Sequence, residues 1–178
     1  MSALAIAATV EAGPDQILNV ASRSIMEAAA REIFEVMLGL KLTRIAADPP
    51  VVADVTVLVG FSGQWRGVFG LHCQANTACR MATLAVGVET DEFDERVLDA
   101  VGEIANMVAG SFKSKIPALS ETAFLSVPSI ISGADYERHS SAGESKGGVS
   151  LDVAGGEHLE MSLSCEGSPL WLTLDLRK

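Results

Sequence analysis

Residues 90–115 read TDEFDERVLDAVGEIANMVAGSFKSK, and this stretch decides the fold that we expect. Its apolar residues recur every three or four positions, which predicts one long amphipathic helix. Thr90 and Asp91 suit the start of this helix as caps, and Lys113 and Lys115 suit the negative end of its dipole. The face that we expect to be buried consists of Val97, Val101, Ile104, Val108 and Phe112.

Three polar residues of the same helix lie opposite that apolar face. Asp99, Glu103 and Asn106 fall within about 60° of one another on a helix of 3.6 residues per turn. We call them the polar stripe. They present two acids and an amide to the outside. Any amphipathic helix has a solvated face, and such a face is one explanation of this pattern.

Two glycines share the side of the polar stripe, at positions 102 and 110. A glycine within a helix costs roughly 0.5 to 1 kcal/mol relative to alanine, so Gly102 and Gly110 need a reason. One reason is the close approach of a partner, which would make both of them partner-binding residues. The other is close packing against another part of the same domain.

The remaining elements follow from hydrophobic periodicity and turn residues. We expect a strand over Phe124–Ile131 that Pro128 interrupts, which places it at a sheet edge or a bend because proline cannot donate to a ladder. The others are a long helix over Asp15–Leu38, a hairpin of Ala53–Phe61 and Trp65–Gln74, a short helix over Asn76–Val86 and a C-terminal hairpin over 159–176.

This order predicts an α+β fold in two layers, an antiparallel-rich sheet packed by two long amphipathic helices, in a single domain of residues 1–178. Residues 1–14 are expected to be flexible, and residues 133–148 to form a mobile hairpin loop. The two halves resemble each other, which suggests a duplicated helix-plus-strands unit, although two ordinary amphipathic helices also explain the match. The aligned positions are Glu32, Ile33, Glu35 and Gly39 with Glu103, Ile104, Asn106 and Gly110.

Composition excludes several classes of function. A net charge of −10 disfavours binding to nucleic acid, and no apolar run is long enough to predict a membrane helix. The three cysteines do not suggest a disulfide framework, so we expect a cytoplasmic protein. His72 and Cys73 should point to opposite faces of a strand, and we predict no metal site.

The polar stripe resembles the motif of the CheC, CheX and FliY phosphatases, which act on the phosphorylated chemotaxis response regulator CheY. That motif is Asp or Ser, three residues, Glu, two residues, Asn, then twenty-two residues and Pro. Asp99, Glu103 and Asn106 match its helical part, whereas Pro128 follows Asn106 after twenty-one residues. The first half lacks the motif, having Ala28, Glu35 and Val57 at the matching positions, so the chain looks like the CheX type, which carries the motif once.

The resemblance implies a CheC-like fold and a phosphatase that hydrolyses the aspartyl phosphate of a CheY-like receiver domain. It implies that Asn106 orients the attacking water and that Glu103 anchors the helix on the partner, while Asp99 and Pro128 support the contact. It also implies a homodimer, no cofactor of the chain's own, and Mg²⁺ in the partner's receiver domain. The alternative is a non-catalytic CheX-like module that binds a receiver domain or a flagellar motor component.

Overall fold

The computed structural model describes residues 20–46, 53–87, 93–133 and 157–178. These residues form a mixed α+β fold with an antiparallel sheet, as the sequence predicts. The helices are α1 (Val20–Leu38), α2 (Ala75–Val86), α3 (Glu95–Ser114) and α4 (Pro117–Thr122), and the strands are β1 (Leu42–Arg44), β2 (Val55–Gly63), β3 (Arg66–Cys73), β4 (Ala123–Leu125), β5 (Ser129–Ser132), β6 (Glu157–Cys165) and β7 (Ser168–Arg177).

The strand order is symmetric about the centre of the sheet. The strands lie in the order β1-β6-β7-β3-β2-β4, and β5 also pairs with β2. The hairpins β2–β3 and β6–β7 meet in the middle through antiparallel pairing of β3 with β7. Outside each hairpin lies a strand from the other half of the chain, β1 beside β6 and β4 with β5 beside β2. Exchanging the two halves therefore leaves the strand order unchanged.

One face of the sheet and the helices that pack on it enclose the apolar core. Alternate residues of β2, from Val55 to Phe61, point into this core, as the period of two along a strand requires. Helix α3 buries its predicted apolar face there, and α1 and α2 contact α3 on the same side of the sheet. The predicted buried residues of α3, Val97, Val101, Ile104, Val108 and Phe112, are all in the core.

The opposite face of the sheet carries polar side chains that pair across the strands. His72 on β3 contacts Thr56 Oγ1 through Nδ1 at 3.0 Å and Thr173 Oγ1 through Nε2 at 2.9 Å, and all three residues are buried. Cys73 points into the core, where burial, with a smaller effect of Asp54, raises the pKa of its thiol to about 12. His72 and Cys73 thus lie on opposite faces, as predicted, and each has a structural role.

Three details differ from the sequence predictions. Helix α3 begins at Glu95, and its N-cap is Asp94, whose side chain accepts hydrogen bonds from the backbone N–H groups of Arg96 and Val97. The caps predicted at Thr90 and Asp91 lie outside the described residues, as do the predicted flexible residues 1–14 and all but the first residue of the predicted 133–148 loop. Strand β1 and helix α4 were not predicted, because three and six residues are too few to show a period.

The predicted interruption at Pro128 is present and has a defined form. Leu125 on β4 pairs with Phe61, and Ser129 on β5 pairs with Leu58. Residues 126–128 therefore oppose only residues 59 and 60 of β2, three against two, which makes a β-bulge. We call residues 126–128 the bulge. It lies at the edge of the described sheet, where a proline without an N–H is tolerated.

The ion pair of His158 predicts a pH-dependent stability. His158 Nδ1 lies 2.7 Å from Asp175 Oδ1, and this hydrogen bond, aided by Glu160 and opposed by partial burial, raises the pKa of His158. A raised folded-state pKa stabilises the fold fully below the unfolded value of about 6.5, and the effect disappears as pH rises through the folded value. We expect His158→Gln to lower the free energy of unfolding, measured by urea denaturation, more at pH 5.5 than at pH 8.5. A loss of equal size at both pH values would contradict this.

Candidate functional site

The polar stripe lies on the outer face of α3. Asp99 and Glu103 are exposed and Asn106 is half-buried, while the apolar residues on the opposite face of the helix are in the core. Within the described part of the chain, none of the three side chains makes a hydrogen bond or an ion pair. The stripe is therefore available to a partner, because Glu103 makes no hydrogen bond or ion pair with another described residue.

Helix α3 is held in place on both sides of the stripe. On one side it contacts α1 through Glu32, which accepts a hydrogen bond from Ser111 Oγ at 3.2 Å and pairs with Lys115 Nζ at 2.6 Å. The hydrogen bond and the charge of Lys115, followed by the hydrogen bond of Ser111, lower the pKa of Glu32. Glu32 is the residue that aligns with Glu103 in the first half of the chain, and here it joins two helices.

On the other side, α3 packs against β4, the bulge and β5. A Cβ placed on Gly102 would lie 3.2 Å from Ile130 Cδ1 and 3.6 Å from Pro128 Cβ, and one placed on Gly110 would lie 3.9 Å from Leu125 Cδ1. Gly102 is buried, so the structure favours the second reason for this glycine, close packing within the domain. Gly110 is half-buried, so its contact with Leu125 leaves part of it open to a partner. Pro128 lies beside the helix, at the position of Gly102.

Two exposed residues precede Pro128, and the sequence pattern did not single them out. Ser126 and Val127 are exposed and belong to the bulge that runs beside α3. A strand that a proline interrupts signals irregular pairing, but the extra residue becomes visible only from the register of both flanking strands.

The site has the composition of a protein-docking surface. Two exposed carboxylates and a half-buried amide form the stripe, and an exposed valine belongs to the bulge. In the described ranges no group of three or more His, Cys, Asp or Glu side chains is placed to hold a metal ion. None of the described helices is both long and apolar enough to span a membrane. The arrangement can therefore bind a positively charged partner surface and place an amide against it.

Comparison with known proteins gives a family match that contains the stripe and Pro128. The sequence model of the family described as "Chemotaxis phosphatase CheX" matches residues 55–163. The CheY-P phosphatase CheX of Thermotoga maritima is 28% identical over 85 residues, which are 47% of this chain and 55% of that protein. The chain therefore spans about half the length of this curated relative.

Solved structures show the same fold. CheX from Vibrio vulnificus is similar with a TM-score of 0.70 and 20% identity, over 91% of this chain and 100% of that chain. The CheX–CheY–BeF3–Mg²⁺ complex from Borrelia burgdorferi gives a TM-score of 0.64 and 20% identity, over 87% of this chain and 97% of that chain. The predicted CheC-like, antiparallel α+β fold is thus confirmed.

The two glycines of α3 are expected to respond differently to substitution. Gly110→Ala gains helix propensity and meets only an ordinary contact at 3.9 Å, so we expect it to stabilise the protein by about 0.5 to 1 kcal/mol. Gly102→Leu adds volume where Ile130 already approaches to 3.2 Å, so we expect it to destabilise by about 1 to 3 kcal/mol. Chemical denaturation of both variants measures this difference, and equal effects would contradict the packing described for Gly102.

Proposed function

Because this chain belongs to the chemotaxis phosphatase CheX family, we propose that it hydrolyses the aspartyl phosphate of a CheY-like receiver domain. One observation carries the proposal: Glu103 and Asn106 share the outer face of a firmly packed helix, and neither side chain is engaged elsewhere in the described part of the chain. The name of the Thermotoga relative and the complex with CheY from Borrelia support the choice of partner.

In this proposal Asn106 positions the attacking water. The amide oxygen accepts a hydrogen bond from the water, and the amide N–H donates toward a phosphoryl oxygen, which aligns the water with the phosphorus. The water oxygen forms a bond to phosphorus, the bond between phosphorus and the aspartyl oxygen breaks, and its electron pair returns to the receiver carboxylate. The products are the free carboxylate and inorganic phosphate, which retains the protons of the water. Positioning dominates such phosphoryl transfer, so no strong base is needed.

Glu103 anchors the helix on the receiver. It lies one turn before Asn106, and its exposed carboxylate suits the lysine that a receiver domain holds beside its phosphorylated aspartate. Asp99, one further turn away, extends the same acidic surface and supports this contact. The Mg²⁺ of the reaction belongs to the receiver, and this chain provides no cofactor of its own in the proposal.

We also propose that the two halves of the chain are a duplicated unit whose second copy carries the site. The symmetric strand order supports this, since each half supplies a helix, a hairpin and an edge strand for the other half. The exposed residues of α1 that align with the stripe are Ala28, Glu32 and Glu35, and Glu32 joins α1 to α3 instead. The cytoplasmic location and the homodimer stay predictions of the sequence analysis.

Substitution of Asn106 is the critical test of the proposed catalysis. We expect Asn106→Ala and Asn106→Asp to lower the rate of receiver dephosphorylation by at least about 100-fold, because neither side chain can both hold the water and donate to the phosphoryl group. Loss of radiolabelled phosphate from a purified receiver measures the rate. Binding of Asn106→Ala to the receiver–beryllofluoride complex should change by less than about threefold, whereas Asn106→Asp adds a negative charge beside the beryllofluoride and is compared by rate alone. Full activity of either variant would refute the mechanism. Binding by the wild-type chain without acceleration would instead identify a non-catalytic module.

Glu103 should affect association more than turnover. We expect Glu103→Lys to weaken binding to the receiver–beryllofluoride complex by at least about tenfold, since it places a cation against the receiver's lysine. The matched control is Glu35→Lys, an equal charge change at an exposed position of α1. Isothermal titration calorimetry compares the two dissociation constants. Equal values would remove the anchoring role from Glu103.

A further inference from the structure

One row of α3 faces the bulge, and Asn106 stands in the middle of it. Gly102, Asn106 and Gly110 are spaced by four residues, so they follow one another along the same side of the helix. Leu125 contacts the position of Gly110, and Pro128 contacts that of Gly102. The chain between them therefore passes beside Asn106, and this part of the chain is Ser126–Val127. The two glycines allow the approach because a larger side chain at Gly102 would meet Ile130 and Pro128.

Hydrogen bonds hold the bulge in one conformation. The backbone N–H of Ser126 donates to the carbonyl of Gly60 at 2.9 Å, and Ser126 Oγ accepts from the N–H of Gly60, also at 2.9 Å. Ser126 Oγ donates in turn to the carbonyl of Val127 at 2.8 Å. Strands β4 and β5 pair with β2 on either side. A partner that binds here would meet a preorganised surface and lose little entropy in ordering it.

The middle residue of the bulge, Val127, is apolar and exposed. Val127 is 82% exposed, the highest value among the exposed large hydrophobic residues of the described chain. Val36 is also strongly exposed, at 74%, but it lies on α1, whereas the stripe is on α3. Isolated exposed apolar residues are common, so the exposure of Val127 acquires meaning only from its rigid support and its place beside Asn106.

We propose that Val127 is a binding residue for the receiver domain, packing against an apolar side chain next to the phosphorylated aspartate while Glu103 engages the receiver's lysine on the other side of Asn106. This proposal rests on the proposed function and adds a contact to it. The occupant is the receiver because Val127 lies between Leu125 and Pro128, whose side chains pack at the positions of Gly110 and Gly102 on either side of Asn106. A partner that places its phosphoryl group against Asn106 must cover the neighbouring bulge as well.

Two such contacts, one charged and one apolar, would fix the helix in both position and rotation. The amide of Asn106 then meets the phosphoryl group at one angle, because each contact lies on a different flank of its side chain. The apolar contact contributes to affinity for the receiver in its resting and reacting forms alike. Its loss is therefore expected in KM rather than in kcat.

The test uses Val127→Ala and Val127→Thr, with Val36→Ala as the matched control at another exposed valine. We expect both Val127 variants to raise KM for the phosphorylated receiver, and Kd for its beryllofluoride complex, by about three- to tenfold, with kcat within about twofold. Threonine keeps the branched shape and adds a hydroxyl, so it separates the loss of apolar contact from the loss of bulk. Melting temperatures should stay at the wild-type value, since an exposed side chain contributes little to stability.

The outcomes separate this proposal from the proposed function. If the wild-type chain dephosphorylates the receiver and the Val127 variants match Val36→Ala in both KM and Kd, the role of Val127 is overturned and the phosphatase function stands. If the wild-type chain binds the beryllofluoride complex without accelerating hydrolysis, the phosphatase function fails, and a higher Kd for the Val127 variants still supports the contact. A wild-type chain that neither binds nor hydrolyses any receiver overturns both.

Discussion

The burial of one face of α3 is the constraint on which the rest of the structure depends. Its apolar side chains fill the core against β2, and Glu32 of α1 fixes its far end through Ser111 and Lys115. The polar stripe lies opposite that apolar face, so burial of the apolar face turns the stripe outward. The rotation of α3 is therefore determined by the core, and so is the direction of the side chains in the stripe.

The first half of the chain lacks the polar stripe that the second half carries. The strand order is unchanged when the halves are exchanged, yet their helices differ in what they expose. In the first half, Glu32 is engaged by Lys115, and Glu35 stands where the second half has Asn106. In the second half, Glu103 and Asn106 have no side-chain partner within the described residues. Glu32 thus joins the two helices, whereas Glu103, which aligns with it, is exposed.

Much of the fold was predictable because periodicity reports burial. The long helices and the two hairpins bury alternating or helically spaced residues, and those patterns are visible in the sequence. Helix α3 begins later than predicted, because Thr90, Asp91 and Asp94 all suit a cap in the sequence and the structure shows Asp94 as the N-cap. Strand β1 is three residues long and exists because β6 offers it a partner, which no local pattern reveals.

By itself the sequence determined the class of the fold, the buried face of α3, and the residues Asp99, Glu103 and Asn106 as one outward stripe, because these follow from the spacing of side chains along a helix. It left two explanations open for Gly102 and did not show the extra residue of the bulge beside Pro128. Only the tertiary structure decided both. Gly110 lies against β4 and Gly102 against β5. The bulge beside α3 follows from how these two strands pair with β2. Contacts between segments distant in the chain have no local signature, so the packing of the bulge beside α3 appears only in the folded protein.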